Sequence, residues 1–289
     1  MNPAKKAGDR PESGDEALQG EQLPERVAEL AGELSEAESE SRRKRLARQM
    51  AELGRRSTKA TSRSLRSGAG AARRSAQAGG TATARGLRAT GQWLSGQVLE
   101  MAPKVPIRSL ATLEQQHPDL DTDQLADLLI ASAARASGGV GAAVGAAAAV
   151  PFIPTAAPVE LVVETMALVA IELKLIAELH EVYGQRAPGA TPQRMIAYVG
   201  SWADRRGVTV TTSGLALAVG SPLRRKLERR LLAKAGKSAL ALAPLLTGAA
   251  AGAMLDFRET RKLGHVIRND LRKLALEQRQ LGRQLIEPE

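Results

Sequence analysis

The chain lacks most of the side chains that carry metal or nucleophilic chemistry. It has no cysteine, which excludes disulfides, thiolate metal sites, iron–sulfur clusters and cysteine nucleophiles. Its three histidines, His117, His180 and His265, lie far apart in the sequence. We therefore expect no catalytic residue, no metal site and no cofactor, and an enzyme is the least favoured class of function.

Alternating aspartates at Asp119, Asp121 and Asp123 resemble the start of a calcium-binding loop. Such a loop needs glycine at its sixth position and glutamate at its twelfth, where this chain has Gln124 and Ile130. The same residues instead predict a helix start. Asp121 would cap the first backbone N–H groups, and Gln124, three residues later, would complete a capping box.

Two further patterns do not make a substrate site. Residues 235–238 read Ala-Gly-Lys-Ser, like the end of a phosphate-binding loop, but Leu231 stands where that loop requires its first glycine. Glu164 and Glu178 would lie about 21 Å apart on one helix, too far to act together on a small substrate. The sequence therefore identifies no small-molecule substrate.

The clearest chemical signal is basic. Ser221 and Pro222 favour a helix start, and Leu223, Leu227 and Leu231 would line one face of that helix. A basic amphipathic helix is typical of proteins that bind an anionic membrane surface, although a solvated charged face is the alternative. The candidate lipid contacts on this helix are Arg224, Arg225, Lys226, Arg229, Arg230, Lys234 and Lys237.

The net charge of +10 is unevenly distributed. Residues 1–40 carry a net charge of −7, residues 42–90 carry +13, and the remainder carries +4. Most of the basic character therefore belongs to an N-terminal arm. Such arms bind anionic partners: nucleic acid, acidic lipid headgroups, or the acidic segment of the same chain.

This arm is expected to be largely disordered. Of the 37 residues in 54–90, 25 are Gly, Ala, Ser or Thr, which cannot bury enough apolar surface to offset the cost of ordering the backbone. We predict a disordered basic tether over 54–90. The preceding acidic segment, 1–53, has apolar residues at helical spacing from Leu23 to Leu34, which predict a short, solvated amphipathic helix.

The composition of the body, residues 91–286, predicts an all-α fold. Only 2% of the chain is aromatic although 43% is hydrophobic, so the core must consist mainly of small and aliphatic side chains. We expect a compact bundle of Gly/Ala-rich apolar helices. Small residues four apart in the uncharged stretches Ser137–Val159 and Ser238–Leu255 allow close helix contact, and the candidate packing residues are Gly141, Gly145, Gly248 and Gly252.

The uncharged stretch Ser137–Val159 does not predict a simple membrane crossing. Pro151, Pro154 and Pro158 interrupt it and leave a helix of about 20 Å, shorter than a hydrocarbon core of about 30 Å. A re-entrant or surface-inserted hairpin and a buried helix of a soluble bundle remain open. The first thirty residues have no apolar segment of the signal-peptide type, so we expect the N-terminus in the cytoplasm.

Three further elements are predicted after Pro158. A long apolar helix over Val159–Tyr183 would end at Gly184, and a short helix would follow over Pro192–Arg205. A helix of about thirty residues from Asp256 would pack on the body or pair with a partner through a seam of apolar residues. The seam consists of Ile267, Leu271, Leu274, Leu281 and Leu285, with Gln278 at the remaining position.

Charged residues share one narrow side of the long helix: Glu160, Glu164, Lys174, Glu178 and Glu181. We expect an exposed acidic ridge with a surface pair between Lys174 and Glu178. A polar functional lining is the alternative.

In two places the chain resembles the EcsC family, named for a bacterial protein encoded beside an ABC transporter. The first is the Gly/Ala block, the proline break and the long apolar helix that closes in Tyr183-Gly184, where the family has a similar helix closing in Tyr-Gly. The second is a Gly/Ala segment, Gly248-Ala249 and Gly252-Ala253, that leads into Phe257, Thr260, Arg261 and Gly264, with Asp256 where the family has Asn. The likeness covers roughly residues 100–275.

The resemblance implies a helical, membrane-associated bacterial protein without an agreed enzymatic activity. We expect a non-enzymatic protein at the inner face of the cell membrane that supports a transport or envelope process and binds anionic lipid. The alternative is a soluble helical protein that binds nucleic acid non-specifically through the arm 42–90. The tether has no aromatic residue for base stacking, which counts against that alternative.

Overall fold

The computed structural model describes most of the body and part of the N-terminal arm, namely residues 22–57, 96–147, 157–206, 208–211, 214–217 and 243–286. The seven candidate lipid contacts of the helix predicted after Ser221 lie outside the described residues. So does the predicted tether, except for its first four residues, 54–57, which are helical.

The described part of the chain is all-α, as predicted, with eight helices. These are α1 (Leu23–Glu36), α2 (40–57), α3 (96–101), α4 (Leu110–Gln116), α5 (Thr122–Ala147), α6 (Ala157–Val182), α7 (Thr191–Arg206) and α8 (Ala243–Ile286). A single 3-10 turn, Ala102–Lys104, follows α3. One small antiparallel hairpin after α7 pairs β1 (Val208–Thr211) with β2 (Gly214–Leu217), and Val208 lies opposite Leu217.

Helix α6 forms the centre of the bundle. Because it is apolar around most of its circumference, neighbours must cover it on several sides. Helices α1, α4, α5, α7 and α8 all pack against it. Its side chains Met166, Ile171, Leu173, Ile176 and Leu179 are completely shielded from solvent.

Local signals set the ends of α5 and α6. Asp121 Oδ1 accepts from the backbone N–H of Gln124 at 2.8 Å, and the Gln124 side chain accepts from the N–H of Asp121 at 3.0 Å. This reciprocal pair confirms the predicted capping box. Gly184 adopts a positive φ of 67°, and the next N–H, of Gln185, donates to His180 O at 2.8 Å, which confirms the predicted glycine end of α6.

The prediction that the first helix is solvated is wrong. Val27, Ala28 and Leu34 of α1 are fully buried, and α1 packs against α6 and α5. Its apolar stripe has the right period to cover one side of α6, and burial there is more favourable than exposure to water. Helix α2 joins the same core through Met50.

The last helix is longer than predicted. It begins at Ala243 rather than near Asp256, so the Gly/Ala segment and the amphipathic segment form one continuous helix. Pro244 is compatible with this because a proline in the first turn removes no intrahelical hydrogen bond. Helix α5 is likewise continuous from Thr122 through the glycine-rich stretch to Ala147.

Two glycines of α5, Gly138 and Gly141, face α8 at close range. A Cβ added at Gly141 would lie 2.6 Å from Asp256 Oδ2 and 3.2 Å from the Cα of Ala253, and one at Gly138 would lie 3.3 Å from Ala253 O. A side chain at Gly141 would therefore force the two helices apart. The other candidate packing residues, Gly145, Gly248 and Gly252, lie on α5 and α8, but their surroundings are outside what the structure describes.

No helix in the described ranges combines the length and the apolar character that a membrane crossing requires.

We expect Gly141→Ala to lower the free energy of unfolding by about 1 kcal/mol or more, because the cost of overpacking at a rigid backbone contact exceeds the gain in helix propensity. Thermal or urea unfolding of the full chain would measure this.

Gly200→Ala is the matched control, since Gly200 also lies inside a helix but no atom would approach its Cβ within 4 Å. This change should raise the free energy of unfolding by about 0.5–1 kcal/mol. Equal effects of the two substitutions would contradict a close approach of α5 and α8 at Gly141.

Candidate functional site

From Glu164 onward the charged side of α6 is buried, so the predicted exposed ridge is wrong there; the surroundings of Glu160 lie outside the described residues. The side chains of Glu164, Lys174, Glu178 and Glu181 are all buried, and Lys174 is only 1% exposed. The predicted pair between Lys174 and Glu178 does form, at 2.7 Å, but it lies inside the protein. A buried ion must be paired and hydrogen-bonded, because its desolvation is otherwise too costly.

Helix α1 and the segment before α4 supply the partners of Lys174. Its Nζ donates to Glu178 Oε1 at 2.7 Å and to Pro106 O at 2.6 Å, and it lies 2.9 Å from Glu36 Oε1. Both oxygens of Glu178 also accept from the guanidinium of Arg108, from Nε and Nη2, each at 2.9 Å. Two cations and two carboxylates thus neutralise one another.

This arrangement keeps Glu178 ionised. Burial alone would raise the pKa of Glu178, but the hydrogen bonds from Arg108 and the charge of Lys174 outweigh it and hold the pKa below its ordinary value. In Arg108, burial favours loss of the proton, and the bonds to Glu178 reverse that effect and raise the pKa. Both Glu178 oxygens have donors, so the cluster stabilises the fold and offers no free acid or base.

A second buried cluster surrounds Glu172, which the sequence analysis did not single out. Trp202 Nε1 donates to Glu172 Oε2 at 2.7 Å, and Arg206 binds both oxygens of the carboxylate. The hydroxyl of Thr260 donates to Glu172 Oε1 at 3.0 Å and lies 2.9 Å from Ser137 Oγ. The cluster therefore joins α5, α6, α7 and α8.

The charge of Glu172, in the middle of an apolar helix, was the available signal for this second cluster. Its partners were not recognisable, because Trp202 and Thr260 lie 30 and 88 residues away in the sequence.

Three of the residues that carried the family resemblance lie at contacts between helices, whereas Arg261 is exposed. The hydroxyl of Tyr183 donates to Asp123 Oδ1 at 2.7 Å, and burial and this carboxylate raise the pKa of Tyr183. A Cβ at Gly264 would lie 2.8 Å from the side chain of Ile130. Thr260, as described above, contacts Glu172. Each of these three positions therefore has a structural role.

His180 binds within its own helix, since its Nδ1 lies 2.7 Å from Ile176 O, and its ring lies 4.7 Å from the ring of Tyr198. Burial lowers the pKa of His180, so the imidazole is neutral at pH 7. Among the residues that the structure describes, no three His, Asp or Glu side chains are placed to hold a metal ion.

The outer face of α8 is a candidate binding surface, because it combines exposed apolar and basic side chains. Four large apolar side chains on it are 41–53% exposed: Met254, Leu255, Val266 and Leu276. Six exposed basic residues lie among them: Arg258, Arg261, Lys262, Arg272, Lys273 and Arg279. At 100° per residue these ten side chains fall within an arc of about 140°, along about 38 Å of helix. We call this surface the basic face of α8.

Four carboxylates of α8 lie outside this arc, and one of them, the exposed Glu277, lies only about 20° beyond its edge and one turn from Lys273. Asp256 points into the bundle, whereas Glu259 and Asp270 lie beside the face and pair with arginines of α7. Within the described part of the chain, no carboxylate forms an ion pair with Arg258, Lys262, Lys273 or Arg279. Arg272 is paired with Asp123 at 3.2 Å, so the charges available to a partner are those of the other five cations.

His265 adds no charge to the basic face at pH 7. Burial and the positive charges of Arg268 and Arg261 lower the pKa of this histidine.

Comparison of the chain with protein-family models, curated proteins and solved structures finds no match in any of the three. Membership of the EcsC family therefore stays a prediction from the residues quoted above.

We expect Glu178→Gln to lower the free energy of unfolding by about 3–5 kcal/mol at pH 7, because Arg108 and Lys174 would lose the carboxylate that compensates them. The wild-type protein should also lose stability in acid. The folded state holds the pKa of Glu178 below its ordinary value of 4.5, so its contribution is present above that pH and disappears as the pH falls further.

Thermal unfolding of both proteins between pH 7 and pH 3 would test this, with Glu114→Gln on the exposed side of α4 as the control. The difference between wild type and Glu178→Gln should shrink as the pH falls below about 4.5. A difference that stays constant with pH would show that the carboxylate charge is not the stabilising element.

Proposed function

We propose that this protein is a non-enzymatic helical protein of the EcsC type that binds anionic lipid at a membrane surface. The observation that carries the proposal is the basic face of α8. In a bacterial cell, the acidic inner face of the membrane is the surface that this chemistry would recognise, and a supporting role in transport or envelope processes would follow from binding there.

The composition of the basic face suits a lipid surface better than water. Side chains such as Val266 and Leu276 would leave water by entering the boundary between headgroups and acyl chains. Arginine and lysine beside them can lay their apolar stems on that boundary and keep their charges among the headgroups. Each such cation contributes about 1 kcal/mol at an anionic surface, so the five cations other than Arg272, which pairs with Asp123, supply substantial affinity.

Close helix packing supports the same proposal. Gly141 and Gly138 bring α5 against α8, and Thr260 fixes the inner side of α8 to α6. Because the inner side is held by these contacts, the outer side is presented on a rigid element. A helical face about 38 Å long can place its cations at one surface without further ordering of the chain.

The nucleic-acid alternative has one observation in its favour. Helix α2 exposes Arg42, Lys44, Arg45 and Arg48 within two turns, at the start of the basic arm. These residues could contact phosphates without reading sequence. We keep this as the second candidate.

Flotation of the full chain with lipid vesicles would test the proposal. We expect binding to phosphatidylglycerol vesicles, no binding to purely zwitterionic vesicles, and weaker binding as salt rises. Replacing Arg258, Lys262 and Lys273 together by Gln should weaken the binding by roughly 100-fold, since about 3 kcal/mol of attraction is removed.

The matched control replaces Arg42, Arg45 and Arg48 of α2 by Gln, which removes the same charge from another exposed helix. It should leave vesicle binding nearly intact and should weaken binding to a short DNA duplex if the second candidate applies. A loss of vesicle binding that is equal in both triple variants, or no binding at all to acidic vesicles, would refute the role of the α8 face. A third variant, neutralised at Arg224, Arg225 and Lys226, would test the candidate lipid contacts that lie outside the described residues.

A further inference from the structure

A small cavity lies on another part of the molecule, between the carboxyl end of α6, the segment before α4 and the start of α7. Its volume is about 210 Å³, and its lining includes Arg186, Arg194, Glu181 and Tyr198. A water molecule occupies about 30 Å³ in the liquid, so the cavity has room for a small polyatomic ion with some of its hydration.

The cavity carries an excess of positive charge. Arg108 also borders it, but Glu178 and Gln116 already engage the guanidinium of Arg108. The remaining two arginines share a single carboxylate. Arg186 Nη2 lies 2.6 Å from Glu181 Oε2, and Arg194 Nη1 lies 3.4 Å from Glu181 Oε1. One positive charge is therefore left without a compensating group in the described lining.

Hydrogen-bond donors in the cavity are also unused. Arg194 Nε is buried and has no hydrogen-bond partner in the described part of the chain; Glu181 Oε2, also buried, accepts no hydrogen bond there either, although it lies 2.6 Å from Arg186 Nη2. The Tyr198 hydroxyl accepts from the N–H of Ala187 at 3.2 Å, which leaves its own proton available for donation. A buried donor without an acceptor is costly and requires an explanation, and a bound anion would supply the acceptor.

The start of α7 strengthens the attraction for an anion. Thr191 is the first residue of this 16-residue helix and lines the cavity. The helix dipole favours negative charge at this end, although Pro192 has no N–H and the N–H of Arg194 donates to Ala190 O. Arg194 Nη2 donates to the Thr191 hydroxyl at 3.2 Å, so the guanidinium is held at this helix end.

We propose that this cavity binds a phosphate group, either free as a small phosphate ester or as part of a lipid headgroup. A carboxylate presents only two oxygens in one plane, whereas the donors here come from two arginines and a tyrosine hydroxyl at a helix start. Several donors from different directions match the three terminal oxygens of a phosphate ester. Glu181 cancels one charge of the arginine pair and leaves the other for the ligand.

Isothermal titration of the full chain with inorganic phosphate and with sn-glycerol 3-phosphate would test this, at constant ionic strength kept with sodium chloride. We expect saturable binding of at least one probe. Arg186→Gln should weaken it by about tenfold or more, since a charge-assisted hydrogen bond would be lost. Arg186 is about half exposed in a loop, so the substitution should not affect folding.

Arg194→Gln should weaken binding at least as much, and circular dichroism would verify its fold. The matched control is Arg55→Gln on α2, an equally exposed arginine paired with Glu52, which should bind phosphate like the wild type. No saturable binding of either probe, or binding that Arg186→Gln and Arg194→Gln leave unchanged, would overturn the proposal.

Flotation with lipid vesicles distinguishes the two possible sources of the phosphate group. If the ligand is a lipid headgroup, Arg186→Gln should also weaken flotation with phosphatidylglycerol vesicles. If the ligand is a soluble ester, the variant should float like the wild type but should lose phosphate binding in the titration. The triple variant of the α8 face should retain phosphate binding in titration. The cavity and the membrane proposal can therefore fail independently.

Discussion

The need to neutralise charged side chains inside the apolar helix α6 governs the architecture. Lys174, Glu178 and Glu172 cannot be buried alone, and each obtains its partner from a different neighbour. The segment before α4 contributes Arg108, and α7 contributes Arg206. Apolar contacts alone would allow these helices to pack on α6 in several rotations. The ion pairs can form in only one of them. We infer that the buried charges select a unique arrangement among otherwise similar Gly/Ala-rich helices.

This constraint connects the N-terminal segment to the body. Glu36, at the end of α1, lies 2.9 Å from Lys174 Nζ, and Pro106 contacts α1 so closely that a Cβ at Gly32 would lie 2.4 Å from its ring. Helix α1 therefore completes both the apolar cover and the charge balance of α6. One of the acidic residues among the first forty, Glu36, therefore neutralises a buried charge of the core.

Helix α8 shows how one element serves both the core and the surface. Its inner side, with Thr260 and Gly264, is committed to contacts with α5 and α6. Its outer side combines exposed apolar and basic residues, of which Arg272 pairs with Asp123 of α5. The proposed lipid face depends on a broad, solvated array of charges. The proposed phosphate cavity instead depends on a few donors that are partly shielded from water, where each contact is stronger but room is limited.

The sequence by itself determined the helical class, the capping box at Asp121 and Gln124, and the glycine end of α6 at Gly184, because these depend on residues a few positions apart. It also indicated where small residues permit close helix contact. Only the tertiary structure decided that the charged side of α6 is buried and that α1 is part of the core. The partner of Glu178 is Arg108, 70 residues away, and helical periodicity carries no information about which distant residue will neutralise a charge. A charged stripe is exposed by default, and its burial depends on partners that come together only when the chain folds.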